Sequence, residues 1–231
     1  MSARDAILNR VRNACGRDSN SPLISANCER DELLEELPAS VQQRINSPAP
    51  LTQPAVALAL TDALVAQMES VQMTVVRLQS DGEVIAAIDW YLQEHDISGE
   101  LSVAPALKHL EWKPDVNIGA ATGTEATSVT NAFAAVAETG SIAMASGADT
   151  PATLNFLPEN HIVVLYESQI VEHLEDVWTQ MRGVKELPRA ISLVTGPSRT
   201  GDIEQTIELG AHGPRRMHVL LISDELRRNT D

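Results

Sequence analysis

The sequence predicts an α/β protein: an open, mostly parallel sheet with helices on both faces, preceded by an N-terminal helical arm. Three observations lead there. From about Ala55 onward, strand-like and helix-like segments alternate. Several strand-like runs are apolar nearly throughout, as strands buried on both faces must be. Hydrophobic residues make up 43% of the chain and aromatic ones only 3%, so the core is built from small aliphatic side chains that pack closely between helices and a parallel sheet.

The elements follow in order. Residues 2–14 fit an amphipathic helix, with Ile7, Leu8 and Val11 on one face and Arg4, Arg10 and Arg12 in solvent. Residues 16–54 are rich in Ser, Asn and Pro, interrupted by one short helix at Glu29–Leu37 that Pro38 ends. This stretch has too few apolar residues for a core of its own, so 1–54 reads as an arm and 55–231 as the α/β domain. Within the domain, Ala57, Leu60, Leu64 and Met68 recur at helical spacing. Thr74–Leu78 is a β-branched strand, Ser80-Asp81-Gly82 a turn, and Glu83–Glu94 a helix with Val84, Ile88, Tyr91 and Leu92 on one face. Glu100–Ala104, Val116–Gly119 and Ser141–Ala145 are expected strands, and Asn131–Ala137 a short helix. His161–Tyr166, Ala190–Val194 and Met217–Ile222 are the expected central strands. Between them, Val171, Leu174, Val177, Trp178 and Met181 mark an amphipathic helix over 171–182, and a last helix is expected near Asp202–Glu208.

Charge and cysteine content limit the function. The formal net charge is −15, which repels a phosphate backbone and an anionic membrane surface, so nucleic acid is not an expected partner. No stretch approaches the length of a membrane span. The only cysteines, Cys15 and Cys28, form no metal or cluster motif. Isolated cysteines and an N-terminus without a signal-like apolar core point to a reducing compartment, the cytoplasm. No metal and no cofactor of the chain's own are expected, since a Gly-x-Gly-x-x-Gly turn after a strand is also missing.

Three segments carry candidate chemistry. In the run Ile191–Glu204 a strand enters a Gly-Pro turn, a Ser/Arg/Thr/Gly loop and an expected helix start. Free N–H groups there favour an anion, and Gly196, Ser198, Arg199, Thr200 and Gly201 form the candidate site for a small carboxylate or phosphate. Such a loop would sit at the carboxyl edge of the sheet, where ligands of α/β proteins collect. The same residues also suit a plain structural role, with Thr200 or Asp202 capping the helix and Arg199 pairing with a surface acid. In Leu209–Met217, His212 stands between glycines and is a candidate acid, base or donor, or a turn residue bonded to backbone. In Ala137–Ile142, Glu138 is expected to end a helix, an electrostatically poor place for an acid that makes it a weak catalytic candidate; a solvated Glu beside a C-capping Gly140 is the plainer reading.

Taken together, Glu-Thr-Gly-Ser at 138–141, Leu-Pro-Glu-Asn-His-Ile at 157–162, Gly-Pro-Ser-Arg-Thr-Gly-Asp-Ile-Glu at 196–204 and Gly-Ala-His-Gly-Pro at 210–214 resemble the LUD domain of the lactate-utilisation protein C family. The resemblance covers about 70–223 and leaves Thr122-Gly123-Thr124-Glu125 without a place in the family pattern. It implies a fold similar to the sugar-phosphate isomerase and CoA-transferase class. It also implies a non-redox component of a multi-protein system that oxidises L-lactate to pyruvate with iron–sulfur partner proteins. No catalytic residue carries over. The alternative is a stand-alone enzyme on a phosphorylated or CoA-linked substrate, in which Glu138 would be nucleophile or base by analogy of fold alone.

Overall fold

The computed structural model describes residues 53–56, 59–201 and 207–224, all within one unit spanning Gln53–Asp231. The expected arm helices and both cysteines lie outside the described residues.

The centre is a six-stranded parallel sheet. Its strands are β1 (Thr74–Leu78), β2 (Leu101–Val103), β3 (Asn117–Ile118), β4 (Thr127–Asn131), β7 (Asn160–Tyr166) and β12 (Arg216–Ile222), in the order β1-β12-β7-β4-β2-β3. β7 is buried at every position, and β12 at all but its first residue. Such strands read as continuous apolar runs because both faces are covered. Their register, Asn160 opposite Arg216 through Tyr166 opposite Ile222, sends alternate side chains to opposite faces.

Each face has its own helix. On one, Val84, Ile88 and Tyr91 of α2 (Val84–Glu94) pack on Ile162, Val164, Leu220 and Ile222. On the other, Ala63, Leu64 and Met68 of α1 (Leu60–Ser70) pack on Val163, Leu165, Val219 and Leu221. The apolar spacing of i, i+3/i+4 places each stripe on one side of its helix. This is the open parallel sheet with helices on both faces that the alternation predicts.

A second, four-stranded sheet, in the order β8-β5-β6-β9, was not expected. It contains β5 (Ala134–Val136), β6 (Ser141–Ala145), β8 (Ile170–Val171) and β9 (Ile191–Val194). Three expectations fall with it. The short helix at Asn131–Ala137 is instead the end of β4 followed by β5, in which Ala134 and Ala135 face Ala143 and Ile142 across an antiparallel pair. The alanines favour a helix in isolation, but burial between two layers overrides propensity. The run 190–194 is not central: β9 is an edge strand antiparallel to β6, only partly buried, with Leu193 exposed. The helix predicted over 171–182 begins at Leu174, because Val171 belongs to β8. This α3 (Leu174–Met181) packs Val177 on Ala134, Val136 and Ala143 of the second sheet, not on the parallel one.

Beyond β9, most of the expected helix near Asp202–Glu208 lies outside the described residues. β10 (Arg199–Gly201) and β11 (Ile207–Leu209) form an antiparallel pair, and residues 202–206 lie outside the described set. Among the described residues no helix is long and apolar enough to cross a membrane.

Candidate functional site

The parallel sheet has an amino edge and a carboxyl edge, and polar constellations stand at both. The segments singled out from sequence gather at the amino edge. Ser198 N donates to Pro214 O at 2.8 Å, Gly210 N to Ser198 O at 3.0 Å, and Arg215 N to Glu159 O at 2.7 Å. Pro214 and Glu159 lead directly into β12 and β7, so the loops 196–201 and 210–214 lie where those strands begin. The expectation of the carboxyl edge is thereby corrected. Arg199–Gly201, expected as loop, is itself a strand paired with Ile207–Leu209. Gly196, at φ +88°, brings the chain against Val71 O, where an added Cβ would stand at 2.5 Å. Arg199 then donates from Nη2 to that same Val71 O at 2.9 Å. Ser198 and Thr200 are half-buried, and His212 is exposed beside them in the neighbouring loop.

Glu138 lies in the same region, after β5 and not after a helix. Gly140, at φ +69°, presses against the backbone of Gln67 and Met68. Thr139, Ser141 and Thr195 form a hydroxyl chain with two contacts of 2.7 Å. The Glu138 carboxylate lines a groove of about 320 Å³ beside α1 and accepts a hydrogen bond from Nδ1 of His173 at 3.1 Å. Glu172 approaches Nε2 of the same ring at 3.4 Å. The bond to Glu138, with Glu172 and Asp176 nearby, raises the His173 pKa against the opposing pull of partial burial. His173 escaped the sequence reading because it lies far from Glu138 along the chain. The unplaced segment at 122–125 is a local turn: the buried Glu125 carboxylate accepts from Thr122 N, Thr122 Oγ1 and Gly123 N. Burial raises its pKa, but these bonds outweigh that and hold it at about 2.

The carboxyl edge is different. Beyond β4 the chain leaves a cleft of about 410 Å³ lined by Asn131, Ala132, Phe133, Ala145, Thr150 and Gln169. Phe133, Ala145 and Thr150 also line a second cleft of about 350 Å³ with Ser146 and Arg189. Oδ1 of Asn131, at the end of β4, is buried without a hydrogen-bond partner among the described residues. Oγ1 of Thr127 and Nδ1 of His161, near the starts of β4 and β7, and Nε2 of His218 in β12 are likewise buried without a partner, so unpaired buried polar atoms occur toward both ends of the sheet. None of these cleft residues forms a sequence motif, and no local signal marks them. Among the described residues no group of three His, Cys, Asp or Glu side chains is placed to hold a metal ion.

Residues 61–222, well over half of the chain, match the family model of the LUD domain. The chain belongs to the LUD domain family. Its LUD domain thus contains the parallel sheet, the second sheet and both polar edges. Curated relatives include "Lactate utilization protein C" of Geobacillus thermodenitrificans, 28% identical over 162 residues, covering 62% of this chain and 63% of that protein. The protein of the same name from Macrococcus caseolyticus is 26% identical, with 65% and 66% covered. That of Geobacillus sp. strain WCH70 is 26% identical, with 51% and 46% covered. The LUD chain therefore spans about half to two-thirds of the length of these relatives. Among solved structures, a DUF162 family protein of Deinococcus radiodurans matches with a TM-score of 0.47 and 21% identity, over 71% of this chain and 99% of that one.

Proposed function

We propose that this LUD-domain chain serves in lactate utilisation, as a component without a redox centre of its own. The observation that carries the reading is the family match over 61–222 together with relatives named for lactate utilisation. Oxidation of L-lactate to pyruvate releases two electrons and two protons. Two cysteines thirteen positions apart give this chain too few thiolates for an iron–sulfur cluster of four. The electrons therefore pass to iron–sulfur partner proteins, and this chain's part is to bind the acid and hold it for them in the cytoplasm. The high share of acidic side chains suits contact with partners of basic surface.

The test joins genetics to capture. Deleting the gene should abolish growth on L-lactate while sparing growth on pyruvate. The tagged full-length chain should retain cysteine-rich iron–sulfur proteins from cells grown on lactate. Unimpaired growth on lactate would defeat the reading. Turnover of an acyl-CoA by the purified chain alone would replace it with the stand-alone enzyme, in which Glu138 would be nucleophile or base.

A further inference from the structure

We infer that the open edge of β9 is a docking surface for an extended acidic segment of a partner protein, which joins the second sheet as a further strand and sets an aliphatic side chain into the cleft lined by Met181, Val184 and Leu187. The surface does not depend on the lactate reading.

β9 (Ile191–Val194) ends the order β8-β5-β6-β9, so one of its sides carries no described strand. The register with β6 fixes which backbone groups lie on that side. Ser146 N donates to Ala190 O at 2.9 Å, one step before the pair of Ala145 and Ile191. Bonded and unbonded pairs alternate along an antiparallel ladder. Ala190, Ser192 and Val194 therefore turn their N–H and C=O toward β6, and Ile191 and Leu193 turn theirs outward. No described backbone group bonds to these outward groups. Natural edge strands are usually blunted by a proline, a charge or a bulge. Ile191-Ser192-Leu193-Val194 holds no proline and no charge, and its register with β6 is unbroken. The edge is thus a template for one more strand.

The side chains around this edge select the kind of strand. Leu193 stands opposite Ala143, which packs with Val177 of α3, so Leu193 lies on the α3 face of the sheet, 40% exposed. Ala145, opposite Ile191 on the same face, lines the cleft of about 350 Å³ together with Phe133, Met181, Val184 and Leu187. Leu187 is 73% exposed and Val184 39%. An added strand sends every second side chain to this face, where aliphatic groups cover Leu193 and enter the cleft. Charge selects the rest. The whole chain has a formal net charge of −15, yet residues 182–189 hold three cations, Arg182, Lys185 and Arg189, against one acid, Glu186. All three cations are exposed, and none is ion-paired with another described residue. A positive field beside an apolar patch attracts carboxylates. Two copies of the chain meeting here would bring like charges together, so an acidic partner segment with alternate aliphatic residues fits where a second copy does not.

The probe is a synthetic peptide that alternates valine with aspartate, blocked at both ends, with a counterpart that carries serine in place of aspartate. Both are titrated into the ¹⁵N-labelled full-length protein at about 0.15 M ionic strength. The aspartate peptide should bind saturably and slow amide exchange at Ile191 and Leu193, with Ser192 and Val194, already bonded to β6, little changed. The serine peptide should bind about tenfold more weakly, and the double variant Lys185→Ala, Arg189→Ala should weaken the aspartate peptide by about the same factor. Leu193→Pro removes an outward N–H and spares the β6 ladder, so it should abolish binding. Should that variant fail to fold, the exposed Lys185 and Arg189 and the exchange pattern still decide. No saturable binding, equal binding of the two peptides, or protection elsewhere than at Ile191 and Leu193 would overturn the inference. Protection of these two amides that rises with protein concentration in the absence of peptide would assign the edge to a second copy, and would overturn it likewise.

Discussion

Glu138 and His173 join β5 to the start of α3 through a hydrogen bond of 3.1 Å from Nδ1 to the carboxylate. Because this bond raises the His173 pKa, with Glu172 and Asp176 adding to it against partial burial, the ring stays protonated above the usual range. A pKa raised by folding means that the pair's stabilisation is complete below the ordinary histidine value of about 6.5 and is lost as pH rises through the folded value. In an NMR titration, Glu138→Gln should lower the His173 pKa. An unchanged titration curve would show that the contact has no electrostatic weight.

Two other histidines act in the opposite direction. His161 of β7 is buried, bonded through Nε2 to Thr130 Oγ1 at 2.7 Å, and burial pushes its pKa down to about 4. His218 of β12 stacks on Tyr91 at 4.0 Å and is held at about 4 by burial and by His95. The unfolded chain takes up these protons first, so stability should fall as pH drops from about 6.5 to about 4 and level off below, by about 1–3 kcal/mol for each histidine. Urea midpoints across this range are the measurement. His218→Phe, which keeps a ring against Tyr91, should flatten the slope; an identical slope would remove His218 from the account.

Gly140 is fixed by geometry. Its φ of +69° already disfavours a side chain, and an added Cβ would lie 2.8 Å from the backbone carbon of Gln67 and the nitrogen of Met68. Backbone cannot yield as a flexible side chain can. Gly140→Ala should cost about 2–4 kcal/mol in chemical denaturation, strain and overpacking combined. By contrast Gly123, with nothing within 4 Å of an added Cβ, should lose only the conformational part.

Arg199 straps β10 to the end of α1 through Val71 O. Arg199→Ala should therefore lower stability by about 1 kcal/mol, the worth of one such bond on an exposed side chain, with Arg199→Lys recovering part of it. Loss of L-lactate binding at unchanged stability would instead make residues 196–201 the carboxylate site suggested by their composition.

Much of the frame is legible in the residues. The apolar runs of β7 and β12 announce strands covered on both faces, and Leu60, Leu64 and Met68, like Val84, Ile88 and Tyr91, announce the helices that cover them. Misreadings concentrate where tertiary burial outweighs local preference. The alanines of 134–137 look helical until a second layer of sheet packs on them, and β9 looks central because its apolar character is shared by edge strands that lean on a neighbour.

The sequence by itself determined the fold class, the acidic surface, the scarcity of cysteine and the segments that mark the family. These are properties of composition, of periods of two and 3.6 residues, and of short contiguous motifs, all of which are local. Only the tertiary structure decided which edge of the sheet each segment occupies. It turned the chain back at the end of β4, sent β5 toward the amino edge and returned β6 to the carboxyl edge. That reversal set Glu138 against His173 and placed Phe133, Ala145 and Thr150 along the clefts at the carboxyl edge. Such contacts join residues far apart in sequence whose identities are unremarkable one by one, and a hydrogen bond left unmade is visible only when everything around it has been placed.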